Sequence, residues 1–392
     1  MMKPVNPALA ATFSPPVMEA RRWLAGISFP PERPLINVSQ AAPVDPPPEG
    51  LRQAIADAAL NRPEAHLYGP VLGNSDLREA VAEEFSDAYG GKVQPAQVAI
   101  TQGCNQAFCA VIQTLASAGD EVILPTPWYF NHKMWLDMQD IRAVPLPCGQ
   151  GMLPSPEQAK SLIGPRTKAI VLVTPNNPSG AEYPAELVGQ FYDLAQETGI
   201  ALILDETYRD FDSRPDAPHD LLTRPDWDQT LIQLYSFSKA YRLTGHRVGA
   251  IITSVERMDQ VEKFLDTVAI SPSQLGQIGA LWGMQNLRQW VAGERLEILA
   301  RKDATMAAFA ELPGWRLKSV GAFFAWIEHP FDLPSNDLAR LLVRNAGVLA
   351  LPGTMFTPDD DPTGAKHFRI AFANVDGADI AQLAERLVNF QP

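Results

Sequence analysis

Between residues 98 and 253, short apolar runs alternate with amphipathic stretches, and this alternation limits the fold more than any other feature of the chain. The runs are VAIT (98–101), EVILP (121–125), IRAVPLP (141–147), AIVLVT (169–174), ALILD (201–205), LIQLYS (231–236) and RVGAIIT (247–253). Several are unbroken β-branched and leucine runs, which suits strands buried on both faces of a mostly parallel sheet. Stretches such as PAELVGQFYDLAQETG (184–199) carry the periodicity of crossover helices, so the expected class is α/β. Residues 281–312 turn to long helical periodicity, and a smaller α+β unit follows with strand-like GAFFAWIE and FRIAFAN. Ahead of the runs lies a proline-rich arm with a short helix around VMEARRWLAG. The segment QAAPVDPPPEG (40–50) reads as a connector.

At 392 residues, 46% of them hydrophobic, the chain can bury one large core and a second smaller one. A formal net charge of −13 repels phosphate polymers, so neither a nucleic acid nor an anionic membrane is expected as partner. Any phosphate must be held locally by a few placed donors. Three cysteines make no disulfide framework, and neither a CxxC pair nor a histidine cluster suggests a metal. The start, MMKPVNPALAATFSPP, is broken by prolines and lacks an apolar centre, and no apolar run approaches the roughly 20 residues that span a bilayer. A cytoplasmic protein is expected.

Ligands of open α/β sheets bind beyond the carboxyl ends of the strands. After VAIT comes QGCNQA, a glycine turn opening a helix, whose free N–H groups could hold a phosphate; such glycines also serve geometry alone. After AIVLVT comes PNNPSG, which is turn-forming and also brings the amides of Asn176 and Asn177 to the edge. ALILD ends in Asp205, with Tyr208 following. A carboxylate there needs a cation or strong donors, or else it caps a helix, and the two readings are equally consistent. After LIQLY comes SFSKAYRLTGHRVG, with Lys239 between hydroxyls and Arg242, His246 and Arg247 behind it. Singly each insertion is ordinary. One sheet edge gathers them into a phosphate cup, an amide donor, a carboxylate and an amine.

That set is what pyridoxal 5′-phosphate requires. A lysine amine can form a Schiff base with its aldehyde, and a carboxylate can pair with its ring nitrogen. Hydroxyls and the planar fork of an arginine suit its phosphate. The chain resembles the class I/II aminotransferases of pyridoxal-phosphate fold type I over nearly its whole length. The lysine motif Ser-x-Ser-Lys-x5-Gly-x-Arg-x-Gly is matched at Ser236, Ser238, Lys239, Gly245, Arg247 and Gly249.

The resemblance implies a mostly parallel seven-stranded sheet in a large domain (46–285). It also implies a smaller α+β domain built from both chain ends, with an arm over 1–45 and an interdomain helix and small domain over 286–392. It makes Lys239 the Schiff-base residue and proton carrier, and it sets Asp205 against the ring nitrogen with His132 behind it. Tyr208 and Asn177 would hold the 3-oxygen. Ser236, Ser238, Arg247 and the backbone of Gly103, Cys104 and Asn105 would surround the phosphate. PTPWYFNH offers Tyr129, rather than Trp128, as the ring that stacks on the cofactor. YGPVLGNSDLREAVA matches the element whose tyrosine, here Tyr68, reaches the phosphate of a neighbouring subunit, so a homodimer with shared sites is expected. Arg369 in HFRIAFAN would receive the substrate α-carboxylate.

The implied reaction moves an amino group from an L-amino acid to a 2-oxo acid, in amino-acid metabolism and biosynthesis. A C–S lyase or other amino-acid lyase or decarboxylase on the same fold is the alternative. A non-catalytic pyridoxal-phosphate regulator fits less well, because such chains carry a DNA-binding module ahead of the fold. Three departures stand out. INVSQAAP offers Ala41 or Ala42 near the substrate where the family often has glycine. No arginine appears over 266–274, where dicarboxylate-specific relatives place one. Cys104 sits in the phosphate turn as a small filler.

Overall fold

The computed structural model describes residues 5–392; the first four residues of the proline-broken start lie outside it. All seven apolar runs form strands: β1 (Val98–Thr101), β2 (Glu121–Thr126), β3 (Arg142–Pro147), β4 (Thr167–Val173), β5 (Ala201–Asp205), β6 (Leu231–Ser236) and β7 (Gly249–Ile252). They make one sheet in the order β1-β7-β6-β5-β4-β2-β3, with only β7 antiparallel to its neighbours. Every residue of β5 and β6 is buried, as unbroken apolar runs require when helices cover both faces. β3 differs. It lies at the sheet edge, its burial alternates, and it tolerates Pro145 and Pro147 because an edge strand can forgo ladder donors.

A four-stranded antiparallel sheet forms a second layer from β8 (Arg316–Gly321), β9 (Phe324–Glu328), β10 (Leu351–Pro352) and β11 (His367–Ala371), in the order β10-β11-β9-β8. Ile36 and Asn37 pair in parallel with Val348 and Leu349, so the N-terminal segment is stitched to the C-terminal unit. The chain is thus an α/β protein with a mostly parallel sheet and a smaller α+β part drawn from both ends. The helical stretch expected over 281–312 is two helices, Gln274–Asn286 and Arg288–Ala310, because Leu287 leaves helical geometry at φ −113°. Apolar spacing continues across that break, and periodicity alone does not register it.

Two close approaches draw the turns at the sheet edge together. A Cβ on Gly180 would stand 2.3 Å from the Phe324 carbonyl, so only glycine lets the loop after β4 meet the β8–β9 hairpin. A Cβ on Gly249 would stand 2.7 Å from the Cys104 nitrogen, so glycine lets β7 begin directly beside the turn after β1. Among the described residues, no helix is long and apolar enough to cross a membrane.

Candidate active site

Strand register assembles the site. Asp205 stands between Val173 of β4 and Leu234 of β6, while Gly249 faces both Thr101 and Ser236. The turns after β1, β4, β5 and β6 therefore open on one cavity, lined by Cys104, Asn105, Tyr129, Asn177, Asp205, Tyr208, Ser236, Ser238, Lys239 and Arg247. Val173 and Thr207 complete the wall. Trp128 is buried instead in the core beside the cavity, with the Lys133 ammonium 5.5 Å from its ring.

Asp205 is only 3% exposed, yet both its oxygens are engaged. His132 Nε2 lies 3.3 Å from Oδ2, and its ring stacks on Phe108 at 3.9 Å between centroids. The Thr207 N–H and hydroxyl donate to Oδ1 at 3.0 and 2.7 Å. Burial by itself would raise this carboxyl; the hydrogen bond and charge of His132, with the two Thr207 bonds, outweigh it and hold the pKa below the usual value. Asp205 is thus a carboxylate kept ionised against an apolar surround. No motif in the sequence marks Thr207, although a hydroxyl residue two places after an aspartate is the spacing of an Asx-type turn.

Another corner is built for an anion. The helix Cys104–Leu115 begins after Gly103, at φ 83°, with no side chain capping its first N–H groups. Arg247 stands at φ 55°, and its Nη1 approaches the Ser238 hydroxyl at 3.4 Å and donates to the Thr244 carbonyl at 3.0 Å. The guanidinium covers Gly103 so closely that a Cβ there would come within 2.3 Å of Nη2. Ser236 Oγ accepts from the Ser238 N–H at 3.3 Å. Helix N–H groups, two hydroxyls and an arginine fork thus converge where the net charge of the chain gives no help.

Lys239 Nζ donates to the Ala41 carbonyl at 2.6 Å and lies 5.9 Å from the Tyr208 ring centre. Burial, with the cations of Arg247 and Arg369, lowers its pKa to about 8. Tyr208 packs on Phe323 and Phe324, each at 5.2 Å between centroids, and burial drives its phenol well up. Tyr129 is held by Asn131 Nδ2 at 3.0 Å and donates to Asn105 Oδ1 at 3.2 Å, and burial pushes its phenol to about 12.

Arg369, 2% exposed on β11, donates to Asn177 Oδ1 at 2.9 Å and to the Ser39 carbonyl, while its Nε has no partner among the described residues. Burial lowers its pKa to about 10, still fully cationic at neutral pH. A buried guanidinium with a spare donor, walled by Phe324 and Phe356 at 5.0 Å, is suited to an incoming carboxylate. Tyr68 stands apart: it is 78% exposed and takes no part in the cavity of its own chain.

The donor set fits pyridoxal phosphate on structural grounds. The anion corner matches a phosphate, the ionised Asp205 matches a pyridinium, the depressed amine matches an aldehyde, and the spare Arg369 donor matches an amino acid's carboxylate. Residues 33–387 match the model of the family described as aminotransferase class I and II. An aspartate aminotransferase of Pyrococcus horikoshii is 28% identical over 332 residues, covering 83% of each chain. The transaminase BacF of Bacillus subtilis is 29% identical over 352 residues, covering 87% of this chain and 85% of that one. The solved structure of aspartate aminotransferase from Thermus thermophilus with maleate superposes with a TM-score of 0.88 at 25% identity, covering 99% of this chain and all of that one. With this match of sequence, fold and donor set, the chain belongs to the class I and II aminotransferases, pyridoxal-phosphate-dependent transferases of fold type I.

Proposed function

We propose that this aminotransferase moves the amino group of an L-amino acid to a 2-oxo acid, with Lys239 as the residue that holds the cofactor covalently and carries the proton. The observation that carries the reading is an enclosed amine lowered to about 8 in the same cavity as an ionised, buried Asp205. Pyridoxal phosphate, when bound, supplies an aldehyde that captures an amino group and a ring that withdraws electrons from the substrate's α-carbon.

The residues of the chain do the rest. Lys239 would be a base at neutral to slightly alkaline pH, because its pKa lies near the working range where proton transfer is most effective. Asp205, backed by His132 and Thr207, would keep the ring nitrogen protonated. Asn177 and Tyr208 would donate to the ring's 3-oxygen, and Tyr129 would cover one ring face. Gly103, Cys104 and Asn105 through their backbone, with Ser236, Ser238 and Arg247, would hold the phosphate. Arg369 would orient the substrate carboxylate, with Asn177 and the segment at Ala41 beside it. Tyr68, exposed on its own chain, is available to complete a partner's site in a homodimer.

A panel of single amino acids added to the loaded enzyme tests this. A substrate should consume the absorbance of the aldehyde form with no acceptor present, and a 2-oxo acid should restore it. Release of ammonia or thiol without that loss would turn the reading to a lyase. Lys239→Ala should abolish turnover; repeated turnover by that variant would overturn the role given to Lys239.

A further inference from the structure

The lysine turn holds a second arginine, Arg242, that does not line the cofactor cavity. Its backbone stands at φ 53°, in the left-handed region that disfavours a residue with a Cβ. Arg247 in the same turn adopts φ 55° and presents its guanidinium to the anion corner. Arg242 uses its side chain differently, to join three segments. Nε and Nη2 donate to Glu294 Oε2 at 3.1 and 2.6 Å, on the helix Arg288–Ala310. Nη1 faces Asp45 Oδ2 at 3.5 Å and the Pro46 carbonyl at 3.4 Å, both in the connector. The Trp290 ring lies 5.3 Å from the guanidinium carbon.

The other end of that connector touches the reacting groups. The Ala41 carbonyl accepts from Lys239 Nζ at 2.6 Å, and the Ser39 carbonyl accepts from Arg369. The Ala42 N–H is fixed to Asn374 Oδ1 at 3.0 Å. Between the two ends the connector passes over a narrow hollow directly behind Lys239, and Val44 is 71% exposed. A proline-dense strap over a hollow gains little from packing and depends on its end contacts.

We propose that Arg242 is a positioning residue: paired with Glu294 and Asp45, it anchors the 40–46 strap and thereby holds the Ala41 carbonyl against Lys239 Nζ. The consequence for reactivity rests on the reading of Lys239 as the amine that captures the cofactor. On the cofactor side, the charged and titratable groups facing that amine are Arg247, Arg369, Asp205, Tyr208, Tyr129 and Cys104. Behind it, across the hollow, stand Arg242, Asp45, Glu294, Glu297 and Arg301.

The test compares Arg242→Gln, Arg242→Lys and Glu294→Ala with the parent. Amide hydrogen exchange is measured on the full chain, and the pH profile of covalent pyridoxal phosphate uptake is measured on the stripped enzyme. Arg242→Gln and Glu294→Ala should each raise exchange at Ala42, Val44 and Asp45 at least tenfold, with β5 unchanged. Both should also move the uptake midpoint from about 8 in the same direction as each other, because each loses the same Ala41 acceptor and admits the same water at Nζ. Charge alone would push the two apart, since losing a cation raises an amine's pKa and losing an anion lowers it. Arg242→Lys, which keeps the charge but not the fork, should fall between. Unchanged exchange, an equal rise across β5, or midpoints moving in opposite directions would overturn the proposal. If the parent takes up no cofactor at Lys239, the functional reading fails, and the exchange result alone then decides whether Arg242 anchors the strap.

Discussion

Asp205 and Glu206 are consecutive, both are carboxylates, and both are buried, at 3% and 0% exposure, but they face opposite environments. Asp205 looks into the cavity, braced from behind by His132 and Thr207. Glu206 looks into a closed polar network, where Oε2 accepts from Tyr89 at 2.8 Å and from Gln233 at 2.7 Å, with His219 Nε2 at 3.5 Å. Nearby, the Arg209 guanidinium is laid over the Phe85 ring at 4.1 Å. One carboxylate has space in front of it and the other has none. The difference teaches how to separate function from structure among buried charges: a carboxylate that faces a cavity can meet a ligand, whereas one turned toward the chain's own donors cannot.

The comparison breaks most readily on the pair itself. Asp205→Asn should lower turnover on the order of 10³-fold while changing the stability of the cofactor-free chain by no more than about 1 kcal/mol, read by kinetics and by denaturant unfolding. A collapse in stability would place Asp205 with the network. Glu206→Ala should do the reverse, costing about 3 kcal/mol by stranding Tyr89 and Gln233, while the folded fraction keeps its cofactor spectrum. A changed spectrum at full folding would erase the distinction.

Lys239 sharpens it with a pH signature. Its folded pKa of about 8 lies below the ordinary lysine value of 10.5, so the folded cofactor-free chain resists a proton that the unfolded chain accepts. The penalty is complete below about pH 8, shrinks as pH rises toward 10.5, and is gone above it. Lys239→Met should therefore stabilise the cofactor-free chain by on the order of 2 kcal/mol at pH 7, with the gap closing across that window. A constant gap would mean packing, not charge, is responsible. The smallest effect belongs to Thr207→Val, which removes the 2.7 Å hydroxyl bond but keeps the backbone bond to Asp205. It should raise the Asp205 pKa and slow turnover roughly fivefold, about 1 kcal/mol. An unchanged rate would show that the backbone bond and His132 suffice.

Much of the fold and the site is legible in the residues alone. Most of the strands stand out because residues buried on two faces leave few polar positions, as in ALIL (201–204); Gln233 within LIQLYS and the alternating edge strand β3 are exceptions. Most of the cavity residues stand out because they are polar breaks just beyond the end of such a run, as Asn177, Asp205 and Lys239 are. Other features are hidden. Leu287 divides a helical stretch whose apolar spacing never falters. Thr207 reads as an ordinary turn residue until its two bonds to Asp205 are seen. Glu206, next to Asp205, is told apart from it only by its surroundings, which turn its Oε2 to Tyr89 and Gln233. Arg242 pairs with Asp45 and Glu294, which are far from it along the chain, and no local pattern links them.

By itself, then, the sequence determined the α/β class, the strand ends that meet at one edge, and the chemical kinds of group gathered there, because these follow from local periodicity and from where polar residues interrupt apolar runs. Tertiary structure decided which of two adjacent carboxylates faces open space, which donor braces it, and which arginine of the lysine turn meets the anion corner and which the strap. Those outcomes depend on side chains distant in sequence meeting in a low-dielectric interior, where a partner a few ångströms away decides whether a charge can be kept.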